Sequence, residues 1–323
     1  MAVSTIDPNG LNVGQLGGTR NLIINGDFSV AQRGTSFTAD NVYTLDRWNS
    51  GDGTGGSPAR TLSQETFTLG QTDVPNAYYY LRHNQTGAST NGNASLVQKV
   101  EDVTRFDGQT VTLSFYAKAD AAMDIDVRFI QDFGTGGSPS ADVTLTETVS
   151  IGTSWTKYTV TKTLGSLSGK TLGTDGVHTS FLSINTEFQP TTTFTFDIAL
   201  CQLEYGSTAT DFEHESYGTT LQKCLRYYEK IDDAGTYRPN GVAFSTTSTN
   251  IPLQFSVQKR AAPTVTVVAV GQIYRAGAWR TPTGSSVIGS GIYGCTIDIQ
   301  QTSFSTENGY FIRNYNFTFD AEL

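Results

Sequence analysis

The sequence predicts an all-β protein with an N-terminal β-sandwich, one short connecting helix and a smaller C-terminal β domain. Three observations carry this. Alternating apolar and polar residues recur in short runs bounded by Gly, Ser, Thr and Asn. Charged residues make up only 16% of the chain, and Ala, Leu, Glu and Lys never dominate a long window, so long helices lack their building material. One apolar segment opens the first unit at Asn21-Leu-Ile-Ile-Asn-Gly-Asp-Phe28. An alternating segment closes it at Phe194–Glu204, where Phe194, Phe196, Ile198 and Leu200 share one face.

In chain order, residues 1–20 read as a docking arm. Asp7-Pro-Asn-Gly10 is turn chemistry, and Gly14, Gly17 and Gly18 follow, leaving no core of its own. Residues 21–213 form the sandwich. Its expected strands are Leu22–Ile24, Ser95–Val100, Thr110–Ala119, Ile125–Gln131, Val143–Ile151, Trp155–Leu164, Thr179–Asn185 and Phe194–Glu204. The clearest is Thr110–Ala119. Val111, Leu113, Phe115 and Ala117 point one way, and Thr112, Ser114, Tyr116 and Lys118 the other. Residues 214–235 are a helical linker. Leu221, Cys224, Leu225 and Tyr228 fall on one helical face, and Thr219 with Gln222 resembles a capping box, so a helix is expected over Thr220–Lys230. Residues 236–323 form the C-terminal domain, with strands expected at Gly241–Ser245, Ile251–Phe255, Thr264–Val270, Gln272–Tyr274, Tyr293–Gln301 and Tyr310–Phe319. Within the last run Phe311, Arg313, Tyr315, Phe317 and Phe319 alternate with Ile312, Asn314, Asn316, Thr318 and Asp320.

Composition narrows the function. The net charge is −9 with no cluster of Lys and Arg, which excludes a phosphate-neutralising nucleic-acid surface. No apolar run reaches the ~20 residues of a membrane-spanning helix, so no membrane insertion is expected. Met1–Gly10 lacks the basic and apolar regions of a secretory signal, which predicts a soluble protein made in a cytoplasm. Cys201, Cys224 and Cys295 are odd in number and unspaced for a metal site; small buried residues are the simpler reading.

No nucleophile elbow, P-loop or zinc-binding spacing occurs, and His83, His178 and His214 lie far apart. Acid pairs such as Asp124/Asp126, Asp232/Asp233 and Glu213/Glu215 exist, but glycoside hydrolysis needs two carboxyls about 5–10 Å apart across a cleft, which sequence does not place. No catalytic residue and no cofactor is therefore expected. Asp27 near the first strand and Asp197 in the last are the candidate pair for a structural Ca²⁺ completed by backbone carbonyls; alternatively each satisfies local backbone groups. Aromatics offer flat faces to sugar rings: Tyr78-Tyr-Tyr80, Trp48, Trp155, Trp279 and Tyr293. Trp279 and Tyr293, among turn residues of the C-terminal domain, are the candidate ligand-binding residues, although both also suit a core.

Together Asn21–Phe28, Ala31-Gln-Arg-Gly34, Tyr43-Thr-Leu-Asp-Arg-Trp48, Ile198–Tyr217 and Cys224-Leu-Arg-Tyr-Tyr-Glu229 resemble tail-fibre and related virion proteins of bacteriophages and prophages. The resemblance spans about residues 19–230, and its first unit is similar to carbohydrate-binding-module jelly rolls. It implies a jelly-roll sandwich and a virion protein made in the host cytoplasm. It also implies a homotrimer, a host-surface glycan as ligand, and residues 1–20 as the contact to other virion proteins. The exposed-looking Val265, Val267, Val268 and Val270 suit coverage by a neighbouring copy. A capsid decoration or head-fibre protein with a purely structural role is the alternative, and a glycan depolymerase the third.

Overall fold

The computed structural model describes residues 20–51, 59–87, 94–176, 179–188, 193–232, 238–243, 245–275, 277–302, 304 and 309–323. His178, Asp233 and the expected arm up to residue 19 lie outside them. Strand accounts for 49% of the structure and helix for 5%, so the protein is all-β. Two compact units divide the chain: one runs to Thr220 and takes in Leu323, the other is Leu221–Glu322. Among the described residues no helix is long and apolar enough to cross a membrane.

The first unit is a jelly-roll sandwich. Its strands are β1 (Ser36–Phe37), β2 (Arg60–Thr66), β3 (Tyr79–Gln85), β4 (Ala94–Glu101), β5 (Thr110–Ala119), β6 (Met123–Asp132), β7 (Val143–Ile151), β8 (Thr156–Thr163), β9 (Phe181–Phe188) and β10 (Phe194–Tyr205). They pair antiparallel in two sheets, ordered β1-β2-β3-β10-β5-β8 and β4-β9-β6-β7, so the chain weaves repeatedly between layers. The two inner faces share one core. Leu62, Leu81, Phe115, Phe196 and Ile198 come from the first sheet, and Leu96, Ile125, Phe129, Ile184 and Phe188 from the second. Phe188 and Phe196 meet edge-on across the layers at 4.9 Å.

Leu22–Ile24 is not a strand but the start of a turn, in which Asn25 and Phe28 adopt positive φ. Leu22 N and Gly26 O bond the β10 backbone at Leu203 and Cys201 (2.8 Å each), and side-chain amides satisfy much of the rest. Gln98 both accepts from Ile24 N (2.8 Å) and donates to Ile24 O (3.0 Å). Asn25 does the same for Val30, at 2.9 Å each way. Trp48 is buried against Phe28 and donates Nε1–H to Asn25 O (3.0 Å). Gly26 cannot carry a side chain: a Cβ there would sit 2.0 Å from Cys201 O on β10.

β10 departs from the predicted alternation. Phe194, Phe196 and Ile198 face the core, but a bulge between Ala199 and Gln202, with Leu200 at φ 49°, turns Leu200 to the opposite side. Cys201 and Leu203 then join the core. Gln202 and Glu204 are consequently outward, yet buried beneath the returning segment Thr210–Glu213. Glu204 accepts from Thr210 N (2.8 Å), Thr210 Oγ1 (2.8 Å) and Gln202 Nε2 (3.0 Å). Gln202 Oε1 accepts from Glu213 N (2.8 Å), and the Glu213 carboxylate accepts from Asn21 N (2.8 Å). Asn21 closes the circuit by accepting from Leu203 N (3.1 Å) and donating to Cys201 O (3.1 Å).

The helix is α1 (Tyr217–Leu225), shorter and earlier than the expected Thr220–Lys230. Ser216, not Thr219, caps it: Ser216 Oγ accepts from Thr219 N at 3.2 Å. Tyr228 starts a strand instead of a last helical turn.

The second unit holds β11 (Tyr228–Asp232), β12 (Arg238–Val242), β13 (Ser248–Gln254), β14 (Thr264–Ala269), β15 (Gln272–Arg275), β16 (Ala278–Arg280), β17 (Gly284–Ser290), β18 (Gly294–Gln300), β19 (Gly309–Arg313) and β20 (Asn316–Asp320). They form three small antiparallel sheets, β11-β20-β14, β12-β19-β15-β16 and β13-β18-β17, around a core of their own. The run expected as one strand, Tyr310–Phe319, is split into β19 and β20 by Asn314 at φ 56°. That corner shifts the phase by one residue. Tyr310 and Ile312 are buried before it, Tyr315, Phe317 and Phe319 after it, and Phe311 is left outside. Of the four valines, Val265, Val267 and Val270 pack on this core, and Val268 is exposed. Lys259 is fully buried and neutralised by Glu229 (Nζ–Oε2 2.5 Å).

Two outcomes follow for stability. Glu204→Ala leaves the part-buried Thr210 N–H without its acceptor; it lowers unfolding free energy by about 1–3 kcal/mol, read from the urea midpoint. His83 is fully buried between Phe188 and Phe194, with neither ring nitrogen hydrogen-bonded. Burial first, then the nearby Arg60 charge, pushes its pKa from 6.5 down to about 3. The unfolded chain therefore binds the extra proton, and His83's contribution is present above about pH 6.5 and lost as pH falls toward about 3. His83→Phe flattens that acid limb in denaturation curves at pH 7 and 4.5.

Candidate functional site

The outward face of β4-β9-β6 is the candidate site of the first unit. Alternation puts Leu96 and Val100 of β4, Leu182 and Ile184 of β9, and Val127 and Phe129 of β6 in the core. Their neighbours turn outward and align by register. Lys99 lies opposite Ser183, and Ser183 opposite Ile130. Val97 lies opposite Asn185, and Asn185 opposite Arg128. Phe181 ends the row beside Asp132. Asn49 bonds β4 at Val97 in both directions (2.9 Å each), which carries the 41–51 segment along this edge.

These elements line an open groove of about 470 Å³. Asn41, Tyr43, Asn49 and Ser95 lie toward one side, Ser183, Asn185 and Phe181 along the floor, and Asp132 and Asp142 at the other side. The Lys99 ammonium lies 4.3 Å from the Phe181 ring centre, within cation–π range. Arg128 contacts Glu187 and lies 3.8 Å from Asp126. Burial, then the Asp132 charge, holds the Asp142 carboxyl above its ordinary value. Hydroxyls, amides, aromatic rings and both signs of charge thus line one trough, chemistry complementary to a polar, polyhydroxylated molecule.

The sequence-predicted site residues lie elsewhere. Asp197 sits mid-strand in β10 and forms a two-point pair with Arg82 (Nε–Oδ1 2.7 Å, Nη2–Oδ2 2.9 Å), with Lys118 at 3.7 Å from Oδ2. Asp27 accepts from Ser29 N (3.3 Å) and Ser29 Oγ (3.0 Å) within its own turn. That turn meets β10 at Cys201, so strand on the order of 10 Å long separates the two aspartates. They do not form one oxygen cage, and two cations already meet the charge of Asp197. Among the described residues no group of three or more His, Cys, Asp or Glu converges.

Trp279 lies in β16, partly exposed, with Tyr274 at 5.2 Å and the Arg313 guanidinium 4.1 Å from its ring centre. Tyr293 lies in the turn between β17 and β18 and is 66% exposed. Trp279 thus lies in the sheet β12-β19-β15-β16, whereas Tyr293 adjoins the sheet β13-β18-β17. Tyr80 and Trp155 pack together with Phe67 outside the first sheet, and Tyr78 is exposed. Lys99, Phe181, Ser183 and Asn185 escaped the sequence reading. Alternation marks them as outward, but the register that aligns them with β6 comes only from strand pairing.

No protein-family profile matches the chain, and no curated protein does. Solved structures do. The enzymatically active domain of bacteriophage CBA120 tailspike protein 4 matches at 12% identity and a TM-score of 0.36, covering 58% of this chain. The match spans 22% of the tailspike chain, well under its full length. A family 11 carbohydrate-binding module from Clostridium thermocellum, solved in complex with a β-1,3-1,4-mixed-linked tetrasaccharide, matches at 15% identity and a TM-score of 0.32, over 56% of this chain and 98% of that one. The CBM22-1 xylan-binding domain of Paenibacillus barcinonensis Xyn10C matches at 12% and 0.31, over 54% and 94%.

The Asp197 geometry makes a direct prediction. Asp197→Ala lowers unfolding free energy by about 1–3 kcal/mol by stranding Arg82, equally in EDTA and in Ca²⁺, as read by thermal melting. A loss seen only with Ca²⁺ places a metal there instead.

Proposed function

We propose that this chain is a bacteriophage virion protein, a tail-fibre or receptor-binding subunit that holds a host-surface glycan without cleaving it. The observation that carries the glycan reading is the groove over β4-β9-β6, where β9 supplies the Phe181 ring and the Ser183 and Asn185 polar groups, and Lys99 of β4 lies opposite Ser183. A sugar offers this pattern its complement: apolar C–H faces for the ring, hydroxyls for the amides. The virion reading rests on the motif set shared with fibre and related virion proteins, from Asn21–Phe28 to Cys224–Glu229. In this proposal residues 1–20 engage other virion proteins and the chain assembles as a homotrimer.

Open grooves of this kind bind weakly one at a time, at about millimolar affinity or roughly −4 kcal/mol. Several copies on one particle raise retention by avidity. The purified chain retains host cells or their isolated polysaccharide and releases no reducing sugar. Phe181→Ala and Asn185→Ala each weaken that retention about tenfold, or roughly 1.4 kcal/mol, with unchanged melting. Failure of the assembled protein to bind any host glycan overturns this function and leaves the decoration reading. Release of reducing sugar revives the depolymerase.

A further inference from the structure

The sheet β12-β19-β15-β16 of the second unit presents an ordered aromatic row outward. Phe311 of β19 lies opposite Tyr274 of β15, and Tyr274 lies opposite Trp279 of β16. The reverse face carries Ile273 and Ile312, both fully buried. Tyr274 is 39% and Phe311 49% exposed, although each has a core within one residue. Their phase is fixed by the backbone. Asn314 (φ 56°) and Gly271 (φ 62°) turn neighbouring strands at the same level, and a Cβ on Gly271 would lie 1.9 Å from Arg313 O.

Arg313 completes the row. Its Nε and Nη2 both donate to Gln272 Oε1, at 3.0 and 2.7 Å, and its guanidinium lies against the Trp279 ring at 4.1 Å. A neutral amide and a ring hold the group in place without meeting its charge. Among the described residues no carboxylate pairs with it. In a chain of net charge −9, a positioned and unneutralised arginine beside exposed rings is a carboxylate receptor in waiting.

We propose that this face is a second carbohydrate site that takes an acidic saccharide, its carboxylate on Arg313 and its sugar rings on the Trp279–Tyr274–Phe311 row. The proposal rests on the glycan-binding reading of the chain and adds a ligand class and a place. Rungs about 4.8 Å apart give a row about 10 Å long, the span of two sugar units. A second copy of the chain is a poorer occupant. Three half-covered aromatics expose on the order of 300 Å², against roughly 800 Å² per partner in a stable interface.

The test is affinity electrophoresis of the full chain through gels containing polygalacturonate, alginate or hyaluronan, each beside its carboxyl-reduced counterpart. At least one acidic polymer retards the protein ten times more strongly than its reduced form, and salt weakens the effect. Arg313→Gln and Trp279→Ala each reduce retardation at least tenfold, and Arg313→Lys retains part of it. Tyr274→Ala serves where Trp279→Ala shifts the urea midpoint. Phe181→Ala, in the groove of the first unit, weakens retention of host polysaccharide but not this retardation, so the two sites fail separately. Equal retardation by reduced polymers, no retardation by any acidic polymer, or unchanged behaviour of Arg313→Gln overturns the proposal. A fall in light-scattering mass in Trp279→Ala also overturns it and makes the face a contact between copies.

Discussion

Glu204 is buried under its own chain, and the layout of the first unit depends on how its carboxylate is satisfied. It draws Thr210 and Gln202 onto the outside of β10, and Gln202 and Glu213 pass the connection to Asn21. A buried carboxylate without such donors would cost several kcal/mol, so the returning Thr210–Glu213 segment has little freedom to lie elsewhere. The same circuit seats the Asn21–Phe28 turn against Cys201, and that turn in turn holds Gln98 of β4 and Trp48. Both ends of the sandwich are thus fastened to β10 by polar side chains, joined at the N-terminal turn by the backbone bonds Leu22 N to Leu203 O and Cys201 N to Gly26 O (2.8 Å each). The motifs that resemble virion proteins are largely these fasteners: Asn21, Asn25, Gln32, Asp46, Gln202, Glu204 and Thr210 all spend their side chains on internal hydrogen bonds. Their chemistry is structural, and the proposed groove lies mainly on β4, β9 and β6, outside the motifs, with Tyr43 at one side.

How much was readable in the sequence follows from this division. The strands Thr110–Ala119 and Val143–Ile151 were legible to the residue, because period-two alternation survives wherever a strand is straight and half-buried. The all-β class followed from the same signal. Alternation failed where the backbone breaks phase. Leu200 was placed with Phe194, Phe196 and Ile198, but a bulge turned it over. Phe311 and Arg313 were grouped with Tyr315, Phe317 and Phe319, but Asn314 put them on the other face. β2 and β16 went unread because Arg60–Thr66 and Ala278–Arg280 are too polar or too short to show a period. Leu22–Ile24 resembles a strand because Ile23 is core and Leu22 packs on it, while the Ile23 and Ile24 N–H groups bond side-chain amides invisible to a hydrophobic pattern.

The candidate site was less legible than the fold. Of the residues chosen from sequence, Trp279 stands in an organised aromatic row, Tyr293 stands exposed in a turn, and Asp27 and Asp197 are engaged locally. Chemistry-bearing residue types were easy to find; adjacency was not. Lys99, Ser183 and Ile130 come from three strands and meet only through register, and so do Phe311, Tyr274 and Trp279. Each unit therefore keeps one sheet face for its core and frees a second for contact. The first offers hydroxyls, amides and the Tyr43 and Phe181 rings, and the second offers an aromatic row and one positioned cation.

The most direct test of the account maps a host-surface oligosaccharide onto the assembled protein by methyl and amide chemical-shift perturbation. Shifts are expected to concentrate at Lys99, Phe181, Ser183 and Asn185 on the outward face of β4-β9-β6, with the core-facing Leu182 and Ile184 responding less. Shifts confined to other surfaces, or none at saturating oligosaccharide, contradict it.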